Sequence, residues 1–456
     1  MRWRIATIAF SSQVILISGL MVCASIFLAF SASMAYISIV NSGQISYGPR
    51  FYIGQYANGT YYAFDRQNYI NDPSYASALI NNAMLSTSAQ GGGAIVIRNG
   101  SYLLNVALIP QSNVNLTVLP GATIYEVTPA NLGASIALLS ANKGIQNFIL
   151  DGGTWNANKG SLSDHRGSST WNSNFGKYLG IAFYSGSHRD IVVQNIVLQN
   201  VIGQGIDFLA VTNGHIFNNT VISAGDNPIT AEGSNANYNC TIEYNTVIGG
   251  QDVGINTFHA NNVTIRYNTV TNVTQYNGAS HWGIAAENSA FVNIIGNTVS
   301  GCAQNIVSVS DDVLIAQNNV TGGNPAIEIQ NSHRNIVRDN TITSNVPLGT
   351  YGSSQTFDAQ FINNNLTGSN HISGTGTIID GGSMYSTSAD GAISLRSAIN
   401  IQIMNVTFTG SNGVLDYNQQ SNGVTVNGND FSALTGTKIN LSHSINVSIG
   451  TNVGYP

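Results

Sequence analysis

IVVQNIV (191–197), IFNNTV (216–221), IEYNTV (242–247), IRYNTV (265–270), IIGNTV (294–299), IAQNNV (315–320) and IVRDNTI (336–342) repeat one phrase: apolar residues, an Asn, then Val or Ile. The Asn residues stand at 195, 219, 245, 268, 297, 318 and 340, at intervals of 24, 26, 23, 29, 21 and 22. A period of this size marks a solenoid, in which each unit buries its apolar face only by stacking on its neighbours. The units are rich in Val, Ile, Thr and Asn, with Gly at the bends and no apolar stripe of helix length. Each coil is therefore built of short strands, and the expected fold is an all-β parallel β-helix. Stacked strands lie ~4.8 Å apart, so register alone predicts which side chains are neighbours.

Working outward, composition agrees. The 456 residues include 48 Gly and only 9 Pro, as tight-turned coils require. Charged residues make up 8% of the chain, against about 25% in typical soluble proteins. So few carboxylates suit an extracellular chain in acidic surroundings, where their protonation costs little stability. The net charge of −6, with no basic run, argues against nucleic-acid binding.

Arg2 and Arg4 precede an apolar stretch from Ile5 to about Val40, the pattern of a secretory signal or an uncleaved membrane anchor. Residues 1–40 are thus read as an export segment, 41–90 as a cap region, 91–445 as the β-helix and 446–456 as a tail. The protein is expected to be secreted or held at the cell surface, touching membrane only through that segment, and to be a monomer. Asp72 and Pro73 are placed to open an amphipathic helix, SYASALINNAML (74–85), that plugs the end of the stack. Cys240 and Cys302 read as buried small hydrophobes.

Aligning the coils aligns a second strand in each: GIDFLA (205–210), NPITAEG (227–233), VGINTFHA (253–260), WGIAAENS (282–289) and PAIEIQN (325–331). Ile206, Ile229, Ile255, Ile284 and Ile327 form an inward column; the residues between and beyond the inward positions are expected to face solvent. Three residues before that column stand Gly203, Asp226, Asp252 and His281; three after it, Leu209, Glu232, Phe258, Glu287 and Gln330. Asp207 and Asn256 share the face, and His259 closes its strand. Between 191 and 332 Arg266 is the only Lys or Arg, against nine Asp or Glu. Carboxylates lined up beside a His and an aromatic shelf are equipment for splitting glycosidic bonds. The plainer readings are turn-capping Asp residues, solvated Glu residues and ordinary packing of His281 on Trp282. The repeated Asn residues read as a structural amide ladder.

A Gly-Gly strand ending in Gly-Ser-Tyr (91–102), LDGGTWNANK (150–159) and a long loop before GIAFYSGSHRDIVVQNIVLQN (180–200) resemble the pectate lyase and polygalacturonase superfamily over Asp72 to Asn345. The resemblance implies a single-stranded, right-handed parallel β-helix whose catalytic aspartates lie on one sheet. Gly205-Ile206-Asp207 looks like the polygalacturonase Asn-Thr-Asp motif without its Asn-Thr. Gly225-Asp226-Asn227 looks like Asp-Asp with one Asp replaced, and Ser280-His281-Trp282-Gly283 like Gly-His-Gly with Trp inserted. The family's Arg-x-Lys motif has no match. Asp226 and Asp252 are the expected acid/base pair, with His281 orienting them and Glu232 and Glu287 the alternative pair. Asp207, Asn256, Phe258, His259, Trp282 and Trp171, in the loop 160–176, are expected to bind a polysaccharide. No cofactor is expected for a hydrolase; a lyase would call for calcium. An epimerase on the same fold, or a non-catalytic carbohydrate-binding adhesin, is the alternative.

Overall fold

Parallel strand-on-strand pairing organises the described chain. The computed structural model describes residues 50–455 apart from 66–68, 73–74, 127–135, 142, 159–177, 185, 234–237, 274–279, 352–355 and 418–419. The export segment and Trp171 lie outside the described residues; among the latter no helix is long and apolar enough to cross a membrane.

Each coil runs through three strands. The first sheet includes Ile206–Leu209, Ile229–Glu232, Val253–Phe258, Trp282–Ala290, Gln304–Asp311 and Ile327–Gln330. The second includes Val211–Phe217, Tyr238–Glu243, Asn261–Arg266 and Asn293–Ile295. The third is a 14-stranded sheet from Gly100–Leu104 to Asp430–Leu434. The inward column expected from sequence is found in register, Ile206 on Ile229 on Ile255 on Ile284, and all four are fully buried. Burying side chains of this kind contributes ~1.5–3 kcal/mol each. A further coil, Gln304–Asp311, stands between Trp282–Ala290 and Ile327–Gln330, so Ile327 lies two coils from Ile284 and not next to it. Pairing also runs past residue 445, to Ser448–Ile449.

First and second sheets meet at a one-residue corner of positive φ, occupied by Ala210, His259, Asn288 and Asn331. Between second and third sheets the chain turns at a similar corner, and the next residue is a buried Asn. Asn219, Asn245, Asn268, Asn297, Asn318, Asn340 and Asn364 form a continuous ladder. Each amide oxygen accepts the backbone N–H of the preceding rung at 2.8–3.1 Å. Each amide nitrogen donates to the next rung's oxygen and to a carbonyl of the coil below, as Asn245 does to Asn268 at 3.0 Å and to Ile216 at 2.9 Å. Asn195 is off the ladder: its place is taken by Ile196, whose N–H meets Asn219. It sits one residue early, exposed at the corner, bonded to Asp151 and Asn218.

The helix is Ala76–Ala89, two residues later than expected, and Tyr75 at its N-cap makes no side-chain cap. Asp72 instead ends the strand Tyr69–Asp72, paired antiparallel with Tyr61–Phe64, because that hairpin claims the chain before the helix starts. Ala76, Leu79, Ile80, Ala83 and Met84 bury against the first coils. Cys240 and Cys302 are buried and unpaired, in keeping with their apolar surroundings.

The ladder makes a direct prediction. Replacing Asn268 by Ala strands the Asn245 N–H and removes the side-chain donor to the Ile242 carbonyl, and the Asn245 side-chain amide loses one of its acceptors. At ~1–3 kcal/mol per orphaned group, the loss should be several-fold larger than for Asn195→Ala, measured by thermal or denaturant unfolding.

Candidate active site

Three columns on the first sheet bring the polar residues together. Asp207, Thr230, Asn256 and Ala285 are register neighbours, continuing to Val307 and Glu328. Two residues further along each strand stand Leu209, Glu232, Phe258, Glu287 and Val309. The turns entering these strands carry Asp226, Asp252 and His281, tied coil to coil by Asp226 N–H to Gly203 O (3.2 Å) and Trp282 N–H to Asp252 O (3.0 Å). Gly225 makes the close approach possible, since a Cβ there would lie 1.7 Å from the Ile202 oxygen. The Asp252 carboxylate accepts the Ser280 N–H at 2.8 Å, and the Asn227 side chain accepts Val253 N–H at 2.9 Å.

Burial departs from the expectation of a solvent-facing column. Asp207 is 3% exposed, Asn256 5%, Asp226 6% and His281 8%. The column through Asp207 and Asn256 is a floor; Glu232, Phe258, Glu287, Asp252 and Trp282 are half-buried and form its rim. His259 is exposed at the corner, its ring edge-on to Phe258 with centroids 4.2 Å apart.

Burial and crowding set the charges. Burial pushes Asp226 up to about 7, helped by the neighbouring charges of Asp252 and Glu232. Glu287 is likewise raised by burial to about 7; a hydrogen bond from Asn256 opposes this, and Asp252 and Glu232 reinforce it. Asp207 is held well above the usual carboxylate range by burial, then by Glu232 and Asp226. Burial raises Glu232 against a hydrogen bond from Gln204. His281 is lowered by burial, with Asp252 pulling the other way. Asp207, Asp226, Glu232, Asp252 and Glu287 thus form one electrostatic set with His281 at its edge. The Asp207 Oδ1, Asn256 Oδ1 and His281 Nδ1 are buried without hydrogen-bond partners. Among the described residues no three His, Cys, Asp or Glu side chains are grouped to hold a metal ion.

Sequence reasoning missed Gln204, which reaches Glu232, and Glu328, in the Asp207 column. Glu328 is 4% exposed and raised by burial, with Gln330 and Gln304 opposing. Its alternation in PAIEIQN was visible, but the uncounted coil hid its position. Arg266 is committed elsewhere, bonded through Nε to Glu243 at 2.5 Å on the second sheet, where His215 also meets Glu243 at 2.8 Å. Burial tends to raise Glu243, but these two partners outweigh it and leave the carboxylate lowered. An open depression of about 540 Å³ between Cys302, Asn324 and Ser344 lies on the turns from third to first sheet and has no carboxylate in its wall.

The family model described as periplasmic copper-binding protein (NosD) matches residues 270–389, about a quarter of the chain. No curated protein matches the sequence. The chain is similar in structure to the A-module of a mannuronan C-5 epimerase from Azotobacter vinelandii (14% identity, TM-score 0.47, covering 84% of this chain and 96% of that one). It is also similar to PfbA, a surface adhesin of Streptococcus pneumoniae (14%, 0.46, 79% and 87%). A third is a hyperthermoactive exopolygalacturonase from Thermotoga maritima (15%, 0.39, 82% and 88%). The parallel β-helix expected from the sequence is met in this chain's own strand pairing. At such identities the likeness concerns the fold alone.

A carboxyl with a raised folded pKa binds its proton more tightly folded than unfolded, so its contribution is greatest below the unfolded value and is lost as pH rises through the folded one. For Asp226 that window runs from the ordinary carboxylate range to about 7. Asp226→Asn should therefore leave stability near pH 4 almost unchanged and raise it near pH 8, seen in melting curves across that range.

Proposed function

We propose that this protein is an extracellular polysaccharide-active enzyme, a glycoside hydrolase acting with paired carboxyl groups along its first sheet. The observation that carries the reading is the set of raised carboxyls: burial and mutual repulsion hold Asp226 protonated close to neutral pH, beside Asp252 on the next coil. Two acidic groups with unlike environments are what general acid–base cleavage of an acetal needs. In this reading Asp226 donates its proton to the glycosidic oxygen as the C–O bond breaks. Asp252, half-exposed and fixed by Ser280 N–H, removes a proton from the attacking water. His281 is a positioning residue for Asp252. Glu287, held by Asn256, and Glu232, held by Gln204, are the alternative acid/base pair. Phe258 and Trp282 offer half-buried aromatic surface for a sugar ring, with His259 beside them and Asp207 and Asn256 below. Release outside the cell, from a signal or an anchor at residues 1–40, belongs to the same proposal.

A second reading, a carbohydrate-binding surface protein without catalysis, is favoured by the low exposure of Asp207 and Asp226, 3% and 6%. The two readings part in a reducing-sugar assay of the full chain on a polysaccharide panel from pH 4 to 8. Hydrolysis should fall ~10²-fold or more in Asp226→Asn or Asp252→Asn, while Asp312→Asn, at a distant surface corner, keeps its rate. Binding without product replaces the hydrolase by the binder, and an unsaturated, absorbing product replaces it by a lyase.

A further inference from the structure

The Asp207 column does not end at Glu328. Register pairs carry it on through Gly349 and His371 to Ser394. From Val253–Phe258 to Ile393–Leu395 there are six strand steps, about 29 Å at ~4.8 Å each. There the chemistry reverses sign. Arg396, two residues beyond Ser394 and on the same side of the strand, places Nη2 3.1 Å from His371 Nε2. An arginine has only donors, so His371 Nε2 accepts, and a neutral imidazole then carries its proton on Nδ1. Burial lowers the His371 pKa and the Arg396 charge lowers it further, against Asp390, in keeping with the neutral ring.

This leaves donors without acceptors. His371 Nδ1, Arg396 Nε and the Ser394 hydroxyl are all buried with no hydrogen-bond partner, and Ser394 is fully buried. Each such orphan is costly, because the buried donor has given up water without gaining a partner. Other arginines are answered: Arg189, Arg266, Arg334 and Arg338 each pair with a carboxylate, Arg50 donates to oxygens of Gly92 and Gln90, and Arg98 lies over the Tyr52 ring. Arg396 pairs with none among the described residues. Its guanidinium is instead held over the Tyr417 ring, 4.5 Å from the centroid, which fixes its plane.

We infer that Arg396, His371 and Ser394 form an oxyanion subsite on the same face as the acidic cluster, six coils from Asp252, taking a negatively charged group of an acidic glycan. A planar carboxylate of a uronate and a tetrahedral sulfate or phosphate ester both match a guanidinium fork with neighbouring N–H and O–H donors. The glycan part of the inference rests on the proposed function; the oxyanion site itself does not depend on catalysis. A chain long enough to reach both ends would place neutral or protonated contacts at Asp226 and a charged contact at Arg396.

The test is titration calorimetry of the full-length protein with hexasaccharides matched in length: neutral, uronate-bearing and sulfated, together with inorganic sulfate and phosphate. Uronate-bearing or sulfated hexasaccharides should bind about tenfold or more tightly than neutral ones, and the better of the two identifies the group. Arg396→Gln should abolish that preference without changing neutral-glycan affinity, Arg396→Lys should keep part of it, and Ser394→Ala should reduce it several-fold while retaining the fold. Asp226→Asn should leave the preference intact, so a failed hydrolase reading and a failed anion subsite give different results. Equal affinity for charged and neutral oligosaccharides, or an unchanged preference in Arg396→Gln, overturns the subsite. Binding of inorganic sulfate or phosphate alone, lost in Arg396→Gln, overturns its role in glycan recognition.

Discussion

The hydrogen bonds from one buried Asn to the next fix everything else in this structure. In the ladder from Asn219 to Asn364 the side-chain amide uses both its donors and accepts twice through its oxygen at successive rungs. The groups lie in an interior of low dielectric, where an amide left unpaired is expensive and aligned bonds polarise one another. A slip of one residue in any coil would break the contact above and below it. Register is thereby locked, and with it the order of side chains on every sheet.

Locked register is also what permits the acidic cluster. Asp207, Asp226, Glu232, Asp252 and Glu287 come from coils spread over residues 206–290, and no local preference would gather five carboxyls. Stacking does so as a by-product of a core built from isoleucines on the opposite side of the same strands. The cost is a set of carboxyls that resist ionisation. That resistance is also the property a proton donor needs, so strain on charge and usefulness in acid catalysis have one origin.

The same face changes character along its length. Its early coils present acids with a half-buried aromatic rim, and its later ones present Arg396, neutral His371 and Ser394 with unanswered donors. Such polarity suits an extended ligand that carries different groups at different points. By contrast, on the second sheet the Glu243 carboxylate is answered by His215 and Arg266.

The repeated Asn phrase determined the fold by itself, because a 21–29-residue period of short apolar alternations has only stacked coils as a way to bury itself. It also determined the register of Asp207, Glu232, Asn256, Phe258 and Glu287, since strand alternation has a fixed period of two. Sequence could not decide how deeply those side chains sit. Asp207 and Asp226 were legible as outward-facing, yet they are almost wholly buried, because exposure depends on what neighbouring turns and columns cover. The true start of the helix and the uncounted coil Gln304–Asp311 were likewise settled by pairing with distant segments. The meeting of His371 with Arg396, 25 residues apart, was invisible for the same reason: a single contact between adjacent coils leaves no periodic trace in the chain.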